Sequence, residues 1–263
     1  MTSPPGGASR PDPLRAFRLD GKAVVLTGSS SGLGAGFARA LAGAGAHLVL
    51  VARRTDRLAA LAREIEAGGT RATVATADIS SAEQCRRVAQ AAVAEFGRID
   101  VLVNNAGLGG AVPASRETPA GFAAVVEVNL YGTFWMSQAC APHMPPGSAI
   151  VNIASVLGHI APRLPQAAYA ASKAGVIGLT RDLAQEWSRR KGIRVNALCP
   201  GYFATEMTAA ADGQLREMVA ANTMLGRFGE QPELDPALLF LASPASSYIT
   251  GTTLIVDGGM AAL

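Results

Sequence analysis

The sequence predicts an α/β fold, a doubly wound parallel sheet with helices on both faces. Short apolar runs of strand length recur along the chain with helical stretches between them. That alternation builds a parallel sheet covered on both sides. A glycine-rich turn, Thr27-Gly28-Ser29-Ser30-Ser31-Gly32-Leu33-Gly34, stands between the first run and the first helix. Residues suited to chemistry or ligand binding, Gly28, Asn104, Ser155 and Pro200, follow four different runs. Ligands of an open parallel sheet lie at the carboxyl ends of its strands, where these residues would cluster. Right-handed crossovers complete the double winding.

The elements follow in order. Strands are predicted at Ala23–Leu26, His47–Val51, Thr73–Ala75, Val101–Val103, Ala149–Ile153, Arg194–Leu198 and Thr253–Val256. Phe37, Ala38, Leu41 and Ala42 have helical spacing after the glycine turn, with Gly43 and Gly45 as an exit. Thr55 is expected to cap a helix carrying Leu58, Leu61 and Ile65 that stops at Gly68-Gly69. Ser81-Ala82-Glu83-Gln84 has capping-box spacing, and Val88, Val93 and Phe96 follow before Gly97. Thr118-Pro119 starts a further helix with proline at its first position.

Composition narrows the function. The 263 residues fit one domain, and 49% hydrophobic content supplies a sizeable core. Residues 1–18, rich in Pro, Gly and Ser without an apolar stretch, are expected to be a flexible tail and not a secretory signal. The single domain is expected over 19–263. No apolar run is long enough to span a membrane. Cys85, Cys140 and Cys199 are widely spaced in apolar surroundings, as expected of free thiols in a reducing, cytoplasmic compartment. No Cys/His cluster has metal-ligand spacing, so no metal is expected. The net charge of +3 is spread over several helices and mixed with acids, which argues against nucleic acid as a partner.

Tyr169 and Lys173 carry the chemistry. Four residues of helix turn about 400°, so both side chains share one face. An ammonium beside a phenol stabilises the phenolate and makes a general acid or base of it. The glycine turn at a helix N-terminus suits an anion such as a pyrophosphate.

With Asn104-Asn105-Ala106-Gly107, Asn129, Ser155 and Pro200-Gly201 with Thr205, these motifs resemble the classical short-chain dehydrogenases/reductases over about Leu19 to Leu263. The resemblance implies a Rossmann-type sheet of about seven strands in the order 3-2-1-4-5-6-7. It implies hydride transfer between a nicotinamide cofactor and a carbonyl or secondary alcohol. Tyr169 would deliver the proton, Lys173 would lower its pKa and bind the nicotinamide ribose, Ser155 would polarise the substrate oxygen, and Asn129 would hold a relay water. Gly28, Ser30, Ser31, Gly32, Leu33, Gly34, Asp78, Ile79, Asn105, Ala106, Gly107, Pro200, Gly201 and Thr205 would line the cofactor. Ser155 precedes Tyr169 by fourteen residues where thirteen is common, so the intervening loop is one residue longer.

Twenty residues past Gly32 the chain reads Ala52-Arg53-Arg54, with no acid to bond a ribose 2′-hydroxyl. Guanidinium groups there fit a 2′-phosphate. The expected cofactor is therefore NADP(H), with Arg53 the main contact and Arg54 secondary. The segment at about 202–228 is expected to be a lid, as in the family, and its methionines suit an adaptable apolar surface. Leu108, Leu157, His159, Leu164, Tyr202 and Phe203 are expected to complete a mostly apolar substrate pocket beside Ser155 and Tyr169. A ketone or carbonyl reductase is the leading expectation. A 3-oxoacyl-thioester reductase, a sugar-acid or steroid dehydrogenase and a catalytically silent nucleotide sensor are the alternatives. The resemblance also implies a homo-oligomer, a dimer or more usually a tetramer, paired through the helices at Thr118–Ala141 and Ala168–Lys191.

Overall fold

Seven parallel strands form one sheet in the order β3-β2-β1-β4-β5-β6-β7 in the computed structural model, which describes residues 12–161, 164–204 and 213–263. They are β1 (Ala23–Thr27), β2 (His47–Ala52), β3 (Ala72–Thr76), β4 (Val101–Asn104), β5 (Ala149–Ile153), β6 (Arg194–Pro200) and β7 (Thr253–Val256). Each predicted strand is present, and five run one or two residues longer than their apolar stretches. Thr27, Asn104 and Pro200 thereby become the last residues of their strands, which places them at the sheet's carboxyl edge.

Alternate residues of a strand face opposite sides, and the core divides accordingly. Val24 and Leu26 point to a layer built by α1 (Gly32–Gly43), α2 (Thr55–Ala67) and a late helix at Gln231–Ala242, through Phe37, Leu41, Leu58 and Leu238. Val25 and Val49 point to the other layer. There α3 (Ala82–Phe96), α5 (Gly132–Cys140) and α6 (Ala167–Lys191) contribute Val88, Met136 and Trp187. The short helix α4 (Pro119–Val126) precedes α5, α7 is Gly213–Ala221, and the late helix is α8.

Some helix ends differ from expectation. Thr118 caps α4 as predicted, accepting from the Gly121 amide at 3.0 Å. Gly97 ends α3 at φ +77°, a left-handed turn that glycine makes at little steric cost. Thr55, predicted as a cap, is instead the first residue of α2, and its hydroxyl pairs with that of Thr76 at 2.9 Å. Only half of the expected capping box forms. Ser81 accepts from the Gln84 amide, whereas the Gln84 carbonyl oxygen takes the Asp78 amide at 2.9 Å. Within the expected tail, Asp12 caps a short 3₁₀ turn over Pro13–Phe17, and the Phe17 ring lies 6.1 Å from that of Phe240.

Arg194 opens β6 and is 8% exposed. Its guanidinium donates to Leu241 O at 3.1 Å, Ser246 Oγ at 2.6 Å and Ser243 O at 3.0 Å, which closes the carboxyl end of α8. Removing it would take three charge-assisted bonds and the packing of a buried side chain from this joint, although Ser246 still donates to Leu241 O and Ser243 O. Arg194→Ala is expected to destabilise the fold by about 2–4 kcal/mol with little effect on cofactor affinity. Urea unfolding beside a nucleotide titration checks this.

Candidate active site

The glycine turn is fitted to the loop after β4. Gly28 has φ +68°, and a Cβ there would lie 2.6 Å from the Ala106 Cα. Thr27 Oγ1 accepts from the amides of Asn105 and Ala106, each at 3.0 Å. Asn105 Nδ2 returns bonds to Thr27 O at 3.0 Å and Gly28 O at 3.2 Å. The Asn105 side chain is thus consumed in holding the turn, so only its backbone is left for a ligand. Gly34 packs so closely on Gly28 that a Cβ would meet the Gly28 carbonyl at 2.2 Å. A Cβ on Gly32, by contrast, would meet nothing within 4 Å. The N-terminus of α1 therefore opens onto free space with no side-chain cap on its first amides, a ready anion site.

Arg54 closes one side of that site. Its Nη2 donates to Ser30 Oγ at 2.9 Å and Ser31 Oγ at 2.6 Å. Arg53 does not share these bonds; it is exposed, and its charge acts on the Asp78 carboxylate. Arg54 is thus the arginine tied to the glycine turn, where the sequence places Arg53 first. Helix amides, two hydroxyls and a guanidinium together fit the phosphates of a nicotinamide dinucleotide.

The adenine side follows β3. Asp78 Oδ1 accepts from the Ser80 amide at 3.0 Å and the Ser80 hydroxyl at 2.8 Å, which hold its carboxyl below the usual range. Ile79 is buried with its side chain against Gly132, so it can offer a ligand only backbone. Gly201 is seated by its amide on Val256 O at 2.8 Å, and a Cβ would strike the Asp257 Cα at 2.8 Å. Thr205 lies outside the described residues.

The four reactive side chains converge at the sheet's carboxyl edge. Ser155 follows β5 and is 6% exposed. Tyr169 and Lys173 stand one turn apart on α6, with the Lys173 ammonium 5.6 Å from the centre of the Tyr169 ring. Lys173 is 4% exposed and donates to Ile153 O at 2.7 Å. Asn129, fully buried, sits in a π turn over Glu127–Tyr131 that splits the single helix predicted from Thr118 to Ala141. The wider turn carries Asn129 inward, a common use of π segments at sites. Its Oδ1 accepts from the Leu108 amide at 2.7 Å, and its Nδ2 donates to Leu108 O and Ser172 Oγ, each at 2.9 Å. Ser172 in turn donates to Tyr169 O at 2.7 Å. A side chain on Gly107 would come within 3.2 Å of Asn129 Oδ1 and 3.6 Å of Lys173 Nζ, so that glycine keeps the passage open.

Burial governs the electrostatics. It pushes the Tyr169 phenol upward, against the Ser155 hydroxyl bonded to it, and pushes the Lys173 ammonium down to about 8. Burial thus outweighs any easing of phenol ionisation by the ammonium, and the Tyr169 phenol resists ionisation. Lys173 also carries a stability signature. Its folded pKa is below its ordinary 10.5, so at pH below about 8 the fold bears a desolvated cation. Between about 8 and 10.5 the folded state releases a proton that the unfolded state keeps, and stability rises with pH. The shift is worth about 3 kcal/mol. Lys173→Met is expected to gain about 1–2 kcal/mol at neutral pH, after the Ile153 carbonyl loses its donor, to lack that rise, and to lose activity. Denaturant unfolding below and above the window measures it.

The substrate side is apolar. Val156, Leu157 and Met260 form a cluster against Ile160, Tyr169, Tyr202 and Ala261. Phe203 was expected on this wall but belongs to the core layer of Leu26 and Leu198, with its ring against Gly229. Tyr202, the residue before it, packs instead on the cluster of Leu157 and Met260. His159 is exposed, with Nε2 3.7 Å from the Cys199 thiol. Ser172 and Met260 are not signalled by the sequence as site residues. Ser172 was findable as the residue one helical turn after Tyr169; Met260, remote in sequence, was not.

No group of three or more His, Cys, Asp or Glu able to hold a metal exists among the described residues, and none of their helices is long and apolar enough to cross a membrane. All three cysteines are free and buried.

Comparison with known proteins agrees with this geometry. A family described as enoyl-(acyl carrier protein) reductase matches residues 28–261. Galactitol 2-dehydrogenase (L-tagatose-forming) of Cereibacter sphaeroides is 44% identical, over 92% of this chain and 96% of that protein. The 3-oxoacyl-[acyl-carrier-protein] reductase FabG of Thermotoga maritima is 38% identical, over 93% and 99%. A crystal structure of gluconate 5-dehydrogenase from Burkholderia cenocepacia, in complex with NADP and tartrate, superposes with a TM-score of 0.90 at 39% identity, covering 95% of this chain and 99% of that one. A proton-donating tyrosine, its lysine and serine, a glycine-rich anion cradle and these relatives agree: the chain belongs to the classical short-chain dehydrogenase/reductase family.

Proposed function

We propose that this protein is an NADP(H)-dependent oxidoreductase that interconverts a ketone and a secondary alcohol. The observation that carries the reading is the meeting of Ser155, Tyr169 and Lys173 at the strand ends beside an anion cradle closed by Arg54. When bound, the nicotinamide supplies or accepts the hydride. Tyr169 gives its proton to the carbonyl oxygen in reduction and takes it back in oxidation. Ser155 donates to the same oxygen as charge develops on it. Lys173 holds positive charge beneath the phenol, and Asn129, through Ser172, fixes the turn of α6 that carries both. Gly28 to Gly34, Arg54, Gly107 and Gly201 hold and shape the nucleotide site, with Arg53, Asp78 and the backbone of Ile79, Asn105, Ala106 and Pro200 around it. The lid is assigned to the stretch at about 202–228, of which 205–212 lie outside the described residues and α7 falls within them.

A second reading, a 3-oxoacyl-thioester reductase, is favoured by the 38% identity to one. A panel of ketones, sugar alcohols and 3-oxoacyl thioesters, followed by the absorbance of reduced nicotinamide, tests both. Consumption of NADPH with a ketone supports the first reading, and inertness towards every carbonyl refutes it. A cytoplasmic homo-oligomer completes the proposal. It is supported by α4, an apolar helix with no buried residue, and by Phe122 and Tyr131, 38% and 50% exposed.

A further inference from the structure

Two buried polar atoms beside the reacting groups have no part in the chemistry above. The Tyr202 hydroxyl and the Gln166 Oε1 are closed to solvent and have no hydrogen-bond partner among the described residues. Gln166 caps α6 one turn before Tyr169, and its carbonyl accepts the Ala170 amide at 2.8 Å. Tyr202 leaves the end of β6 and packs with Leu157, Met260 and Tyr169, edge-on to Phe228 with ring centres 6.3 Å apart. An unsatisfied buried hydroxyl costs about 1–3 kcal/mol. A wall meant only to be apolar is served by phenylalanine, the residue at 203 and 228. A phenol here is therefore explained by a partner that arrives with the substrate.

We propose that Tyr202 is a specificity residue whose hydroxyl bonds a hydroxyl on the carbon next to the reacting one, so that the substrate is a vicinal diol or its 2-hydroxy ketone. This rests on the reading of the site as a ketone and secondary-alcohol oxidoreductase. Two features select the class. First, Tyr202 shares one small cluster with Tyr169, and burial, with the Tyr169 phenol beside it, pushes the Tyr202 phenol upward. If Tyr169 addresses the reacting oxygen, Tyr202 addresses an oxygen a bond or two away. Second, the charges that share a small cavity with Tyr202 are already paired, which favours a neutral group: Arg227 is held by both oxygens of Glu233 at 2.8 and 2.7 Å, and the Asp257 carboxylate accepts from the Gly259 and Ala261 amides at 2.9 and 2.7 Å. A neutral hydroxyl can both donate to a phenol and accept from it. Gln166 Oε1 then suits a further hydroxyl on the other side, since it can only accept. In oxidation the reacting carbon gives its hydride to the nicotinamide of bound NADP⁺ and its hydroxyl gives a proton to Tyr169. The neighbouring hydroxyl keeps its bonds and is only held.

Tyr202→Phe tests this with matched probes, the butanediol with adjacent hydroxyls against sec-butanol, and acetoin against butanone. Wild type is expected to favour the hydroxylated member of each pair by about ten- to a hundredfold in kcat/KM. The variant is expected to lose that margin, because kcat/KM falls more on the hydroxylated member of each pair than on sec-butanol or butanone, and to melt no lower than wild type because only an orphan hydroxyl is removed. An equal loss on both members, no loss on either, or a wild type that favours the simple alcohol would overturn the role of Tyr202 and leave the oxidoreductase reading intact. No turnover of any probe would overturn both.

Discussion

Tyr169→Phe is expected to cut turnover by about 10³–10⁴ while the protein still binds NADPH. General acid catalysis contributes about 10²–10⁴, and the upper end applies where a sole donor is removed from a site closed to water. The ring itself has structural work that phenylalanine can do. It packs in the cluster of Leu157 and Met260, and a Cβ on Gly109 would lie 3.6 Å from it. The glycine turn, Arg54 and the carbonyl that anchors Lys173 do not touch the phenol oxygen, so the nucleotide site should survive. Ser155 remains beside the substrate oxygen, but its hydroxyl, unaided by a charged neighbour, is a poor proton source at neutral pH. Steady-state assays and a fluorescence titration of NADPH separate the two effects. Retention of more than a tenth of wild-type activity would remove Tyr169 from its role, and loss of NADPH binding would show that the change is structural.

Buried parallel strands are short and apolar on both faces, so the runs at Ala23–Leu26 and Ala149–Ile153 stood out and the sheet was legible. Chemistry placed at strand ends was legible for the same reason, since the end of an apolar run marks the edge of the sheet. What hid from the sequence was direction and competition. Tyr202 and Phe203 are adjacent and both aromatic, and only the path of the chain after β6 sends one to the pocket and the other to the core. Gln84 had the spacing to complete a capping box, but the Asp78 amide competed for its side chain and won. The π turn at Asn129 adds one residue to a helical circuit without any residue type that announces it. The pKa of Tyr169 depends on how deeply the finished fold buries it, a property of the whole site and not of the spacing to Lys173.

The arginine pair after β2 shows the same limit and gives the second large effect. Arg53 and Arg54 are equivalent in composition, and their position in the chain favours the first. In the fold Arg54 reaches across to Ser30 and Ser31 with two short bonds, so its guanidinium is already fixed over the mouth of the glycine turn. A 2′-phosphate arriving there would meet an oriented donor fork and lose little entropy in ordering it. Charge-assisted bonds of this kind are worth about 1.5–3 kcal/mol, and the exposure of Arg54 sets the result toward the lower part of that range. Arg54→Ala is expected to raise KM for NADPH by about ten- to thirtyfold, to exceed the effect of Arg53→Ala, and to leave NADH nearly unchanged. Ala52→Asp combined with Arg54→Ala should reverse the preference, because a carboxylate at the end of β2 accepts from a ribose 2′-hydroxyl and repels a phosphate. Kinetics with both nucleotides decide the matter. A wild-type KM lower for NADH than for NADPH would refute the 2′-phosphate site, and a larger loss from Arg53→Ala than from Arg54→Ala would return the main contact to Arg53.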